Sequence, residues 1–234
     1  MDRFVLLPGL DGSGQLFSPF LTVLPPHIQC QVIAYPPNQC CSYAEVVDYV
    51  MPRLPAHNDF CLIAESFSGP AAIDIARQTP PGLKGVVLVA SFCHAPLSPF
   101  MRDVIQSFLG LLRLAPPASL INYFLCNGSQ VLLSRDVQRC VSSLPFATLK
   151  GRVQSALQVD LRGGLDEVEV PLLALTARQD RLLQKGCAAT MVRFHSKLQV
   201  KAIDGPHFLL QCRPQQSWGA MEKFLSQTSQ KNSS

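Results

Sequence analysis

Apolar residues in this chain fall into two rhythms. Phe4-Val5-Leu6-Leu7, Phe60 to Ala64 and Val86 to Ala90 are short continuous runs with no polar face. Such runs predict strands buried on both sides, as in a parallel sheet. Ile28 to Tyr35, ended by Pro36-Pro37, and Leu172-Leu173-Ala174-Leu175 and Leu198 to Ile203 add three more strands. Between them the spacing turns helical. Leu16, Phe17, Phe20, Leu21 and Leu24 share one face of a segment from Gly14 to Leu24. Ser42 caps a second helix, with Glu45 completing a capping box, and that helix runs to about Leu54. Further helices are expected from Ser68 to Gln78, Gly186 to Phe194 and Pro214 to about Ser226, with Gln230 to Ser234 as a frayed polar tail.

Strand and helix alternate up to Ala90, and this predicts a mostly parallel six-stranded sheet flanked by helices, an α/β architecture. The alternation stops after His94. From 95 to 169 only helical patterns and Pro/Gly punctuation appear, clearest over Asp103 to Leu114 and Ser134 to Leu161. The chain therefore reads as an α/β core, 1–94 and 170–234, interrupted by a helical cap, 95–169.

Composition narrows the class. Of 234 residues 47% are apolar and 15% are charged, which fits a buried-core globular protein and not a disordered one. The net charge is +4, with basic residues dispersed and no basic stripe interleaved with aromatics, so nucleic acid is excluded as the expected partner. No apolar run approaches the ~18 residues of a spanning helix. The N-terminus lacks a signal-peptide pattern. Nine cysteines, none in a Cys-x-x-Cys pair, read as reduced buried thiols of a cytoplasmic protein.

The chemistry starts at Ala64-Glu65-Ser66-Phe67-Ser68-Gly69, where a buried run ends at a serine flanked by small residues. A strand that turns sharply into a helix around one serine needs small neighbours, and the turn pushes the hydroxyl into a cleft. A serine hydroxyl needs a base, and the base usually a carboxylate to orient it. In open α/β sheets such groups gather beyond the carboxyl ends of the strands. Among five histidines, His27, His57 and His195 precede strands, whereas His94 and His207 follow them; His207, in Asp204-Gly205-Pro206-His207, is the candidate base. Asp180 follows the fifth strand and is the candidate acid, ahead of Asp160, Asp166, Glu167, Glu169 and Asp204. Backbone N–H groups of Phe67 in the elbow and Leu10 in Pro8-Gly9-Leu10-Asp11-Gly12-Ser13-Gly14 are candidate oxyanion donors. The glycine-rich loop lacks the spacing of a dinucleotide or P-loop site.

These segments, with Ala177-Arg178-Gln179-Asp180 and Gly205-Pro206-His207-Phe208, resemble the α/β-hydrolase superfamily, and most of all its small esterase-type members. The order Ser66, Asp180, His207 is that of the family. Three features depart from its usual pattern: Pro8-Gly9 stands for His-Gly, the elbow lacks both glycines, and the chain enters at the strand that usually comes third. The resemblance implies a minimal fold and a serine esterase acting on a small ester or thioester with an apolar acyl group. It implies Ser66 as nucleophile, Asp180 as acid, His207 as base, and no metal or cofactor. Leu10, Phe67, Phe92, Phe100, Phe108 and Phe208 are candidate acyl-pocket residues. An acyltransferase or thioesterase on the same residues, and a binding protein without chemistry, are the competing readings.

Overall fold

A computed structural model of the chain describes residues 2–110, 117–128 and 130–231. Six strands form one all-parallel sheet in the order β2-β1-β3-β4-β5-β6. They are β1 (Arg3–Leu7), β2 (Gln29–Val32), β3 (Phe60–Glu65), β4 (Leu83–Val89), β5 (Leu172–Ala177) and β6 (Gln199–Ile203). The three continuous apolar runs became the central strands β1, β3 and β4, where helices cover both faces. The edge strand β2 is half exposed and shorter than the run Ile28 to Tyr35, because the chain leaves the ladder before Pro36.

The two faces of the sheet sort by alternation. Val5, Leu7, Leu62, Ala64, Val86 and Leu88 point to one side, against α2 (Tyr43–Val50), α3 (Gly69–Arg77) and α8 (Cys187–Phe194). Phe4, Leu6, Cys61, Ile63, Val87 and Val89 point to the other, against α1 (Ser18–Leu21), α9 (Leu209–Cys212) and α10 (Pro214–Lys231). Each fully buried Val, Leu, Ile or Phe among them contributes about 1.5–3 kcal/mol.

The helical expectations hold in outline and shift at their ends. Gly14 to Leu24 is a 3-10 turn followed by the short α1. Half of the capping box forms, Glu45 N–H donating to Ser42 Oγ at 3.2 Å, while the Glu45 carboxylate accepts the N–H of Cys41, one residue before the cap, at 2.9 Å. The expected helix Ser134 to Leu161 is instead two, α6 (Val131–Ser142) and α7 (Phe146–Gln158), because Pro145 has no N–H to continue the first. α4 (Pro99–Ser107) starts earlier than Asp103, and 111–116 of that expected helix lie outside the described residues. α5 (Ala118–Cys126) and α9 were not anticipated. α10 runs on to Lys231 instead of ending at Ser226, and 232–234 lie outside the described residues.

Helices α4 to α7 lie between β4 and β5 in the chain. Ile121 and Cys126 of α5 and Val137 and Cys140 of α6 pack on Leu16, beyond β1, and Phe208, beyond β6. This insertion thus sits at the carboxyl end of the sheet. The strand order reverses about β1: the chain steps to β2 on one side, then to β3 on the other. Such a switch point opens a crevice beyond the strand ends.

Candidate active site

The crevice is built first from the turn after β3. Ser66 takes a left-handed backbone, φ 48°, and a 3-10 turn over Ser66–Ser68 runs straight into α3. That conformation costs a non-glycine residue about 1–3 kcal/mol and persists only where its surroundings hold it. Ser91 supplies one hold, its Oγ donating to the Ser66 carbonyl at 2.6 Å. Gly69 makes room for it, since a Cβ there would lie 1.8 Å from Ser91 Oγ. Ser68 supplies another. Its buried hydroxyl donates to the Pro8 carbonyl and accepts from Tyr35 Oη at 2.5 Å. Sequence reasoning took Ser68 only as a small residue; nothing local marks a bond to position 8 or 35.

His207, 1% exposed, lies across from the elbow in the loop after β6. Ser66 Oγ is 2.9 Å from His207 Nε2, and His207 Nδ1 is 2.8 Å from Asp180 Oδ2. Asp180 also accepts the N–H groups of Leu182 and Leu183 on Oδ1, at 2.8 and 2.9 Å. Burial pushes the Asp180 carboxyl upward, but the His207 ring and those two N–H groups outweigh it and hold it below its ordinary value. A carboxylate only accepts, so the His207 Nδ1 that faces Asp180 carries a proton, and in the neutral ring this leaves the Nε2 lone pair for the Ser66 hydroxyl. The loops of Asp180 and His207 are tied to each other, Gln179 N–H donating to the Gly205 carbonyl at 3.1 Å.

The loop after β1 closes the third side. Gly12 N–H donates to the Gly9 carbonyl at 3.0 Å, which makes Gly9–Gly12 a tight turn with Leu10 and Asp11 at its centre. A Cβ on Gly9 would lie 4.0 Å from Ser66 Cβ, so the Gly9–Leu10 peptide runs beside the nucleophile position. Phe67 N–H belongs to the first turn leading into α3, where backbone N–H groups lack intrahelical partners. Ser13, a possible rival nucleophile, gives its hydroxyl to the Asp11 carboxylate in the same loop.

No family model and no curated protein matches the sequence. Solved structures do. A lipase-esterase related protein from Clostridium acetobutylicum is 16% identical, with 95% of this chain and 93% of that one covered and a TM-score of 0.79. A thermophilic esterase from Thermogutta terrifontis is 18% identical, with 97% and 90% covered and a TM-score of 0.76. The chain has the α/β-hydrolase fold. An enol-lactonase from Burkholderia xenovorans, 14% identical over 96% of this chain and 91% of its own, shares that α/β-hydrolase fold with a TM-score of 0.77.

Two features of this α/β-hydrolase fold lie outside the expected site. Glu65, 2% exposed, sits immediately before Ser66 and receives Gln211 Nε2 on Oε1 at 2.9 Å. Burial pushes its carboxyl up to about 7, with Asp11 adding to the rise and Gln211 and His207 opposing it. Gln211 Oε1 is buried without a hydrogen-bond partner. The second is Arg152, treated below. Elsewhere, His195 Nε2 lies 3.0 Å from the Val168 carbonyl, and His94 sits at a backbone bridge with Asp160. Asp160 pairs with Arg162, Glu167 with Arg77, and Asp204 accepts the Gln179 amide. Phe67, Phe92 and Phe208 are buried, whereas Phe100 and Phe108 are 74% and 60% exposed. Among the described residues no group of His, Cys, Asp and Glu is arranged to hold a metal ion, and no helix is long and apolar enough to cross a membrane.

Proposed function

We propose that this chain is a serine hydrolase that cleaves a small carboxylic ester or thioester with an apolar acyl group through an acyl-enzyme. The observation that carries this reading is the unbroken relay from Ser66 Oγ through His207 to Asp180, with the serine held at a left-handed elbow. Ser66 attacks the acyl carbon while Nε2 of His207 takes the hydroxyl proton. Asp180 keeps the ring in the Nδ1–H form and stabilises the imidazolium. The N–H groups of Leu10 and Phe67 receive the oxyanion, aided by the N-terminal end of α3 behind the elbow. The imidazolium returns its proton to the leaving alcohol or thiol. Water then attacks the acyl-serine with His207 as base, releasing the acid and restoring the hydroxyl. No step calls for a metal or cofactor. Residues 95–169 serve as the cap over this site.

The test is labelling. A fluorophosphonate probe should mark the protein at Ser66, and Ser66→Ala should abolish both labelling and nitrophenyl butyrate turnover while circular dichroism stays unchanged. An unlabelled wild type would point to a binding protein. Turnover that survives in Ser66→Ala would discard the nucleophile.

A further inference from the structure

Arg152 is a cation with no apparent reason to be where it is. It projects from α7 in the insertion, it is 0% exposed, and among the described residues it pairs with no carboxylate. Burying a charge is costly unless its hydrogen bonds are met. Here backbone carbonyls meet them: Nη1 donates to Leu10 at 2.9 Å, Nε to Cys40 at 3.0 Å and Nη2 to Gln39 at 3.3 Å. Burial lowers the guanidinium pKa, but an arginine starts so high that it stays charged.

The turn is shaped around this group. Gly12 has φ +70°, and a Cβ on it would lie 2.4 Å from Arg152 Nη1. The Leu10 carbonyl belongs to the central peptide of the Gly9–Gly12 turn. A flip of that peptide changes Leu10 ψ and Asp11 φ but does not turn over the Gly9–Leu10 peptide, which carries the Leu10 N–H; the grip on the carbonyl acts by holding Leu10 itself at a fixed place in the turn. A planar fork of donors gripping Leu10 from one side and the 39–40 backbone from the other fixes the peptide plane, as a single-point ammonium would not.

We propose that Arg152 is a positioning residue for acyl transfer: from the inserted helix it locks the Gly9–Gly12 turn so that the Leu10 N–H faces the developing oxyanion. The insertion then completes the site as well as covering it. This rests on the serine-hydrolase reading, with Leu10 as a donor.

The experiment compares Arg152→Lys and Arg152→Gln with Ser155→Ala. Ser155 Oγ donates to the Cys41 carbonyl at 3.1 Å from the same helix, so its loss loosens the same seam without touching the turn. Active sites are titrated to completion with a fluorophosphonate, and kcat and KM for nitrophenyl butyrate are expressed per titrated site. Both Arg152 variants should lose about 10- to 100-fold in kcat with KM within about twofold, a partial form of the loss seen when an oxyanion donor is deleted. Ser155→Ala should keep the wild-type kcat. Wild-type kcat in a folded Arg152 variant overturns the inference. So does an equal loss in Ser155→Ala, and so does failure of both Arg152 variants to fold while Ser155→Ala folds, since each makes Arg152 a brace only. A wild type that neither turns over ester nor labels at Ser66 defeats the underlying reading instead.

Discussion

Two carboxyls near His207, Asp180 half-buried and Glu65 buried, are set in opposite directions. Asp180, beyond β5, is held below its ordinary value; Glu65, at the end of β3, is pushed up to about 7. Burial acts on both in the same sense. The difference lies in the donors: Asp180 collects the His207 ring and two backbone N–H groups, whereas Glu65 has one amide and the nearby Asp11. The larger supply of N–H donors and the shallower position of Asp180 together keep that acid charged.

The sharpest way to break this contrast is to neutralise each acid in turn. Asp180→Asn removes the charge opposite the imidazolium and disturbs the tautomer, so kcat should fall by about 10⁴-fold. Glu65→Gln replaces a group that its raised pKa leaves about half protonated at pH 7, and should keep kcat within about tenfold of wild type. Equal losses in nitrophenyl ester turnover would erase the distinction.

A smaller effect lies in stability. Glu65 binds its proton more tightly folded, at about 7, than unfolded, near 4.5. Stability should therefore decline as pH rises between those values, by about 3 kcal/mol, and level off above. Asp180 has the opposite sign: its contribution is present above its unfolded pKa and is lost as pH falls through the lowered folded one. Urea unfolding at pH 5, 6, 7 and 8 should show the Glu65 decline in wild type and a flat profile in Glu65→Gln. An unchanged slope in the variant would assign the decline elsewhere.

The smallest expected change comes from Gln211→Met, which removes the donor that opposes the Glu65 shift. The declining limb should then extend above pH 7. A limb that ends lower would show that Gln211 does not stabilise the carboxylate.

What could be read in advance was whatever is written locally. β1, β3 and β4 announce themselves because strands covered on both faces carry no polar residues, and the six-stranded parallel sheet follows from their alternation with helices. Ser66, Asp180 and His207 were legible for a related reason: each comes just after a strand, and parallel strands deliver their ends to one place. The helical insertion was legible as a broken rhythm, but its helices were not, since Leu-rich stretches fix neither where one helix stops ahead of Pro145 nor where the next begins. The bracing of the site was illegible. Ser68 to Pro8, Ser91 to the Ser66 carbonyl and Arg152 to Leu10 join segments far apart in sequence through groups that look ordinary alone. An arginine at position 152 reads as a surface charge until the fold surrounds it with carbonyls.

The strand order has a consequence for assembly in time. β4 takes its next neighbour from β5, which arrives only after the whole helical insertion has been traversed, and His207 comes later still, beyond β6. Parallel pairing across so long a loop is slow, because closure entropy must be met before the contacts form. The half-sheet β2-β1-β3-β4 can therefore collapse with its serine already at the turn while the imidazole is absent. Refolding followed by both compactness and fluorophosphonate labelling should therefore show compactness first, with the interval between them set by the docking of the last two strands.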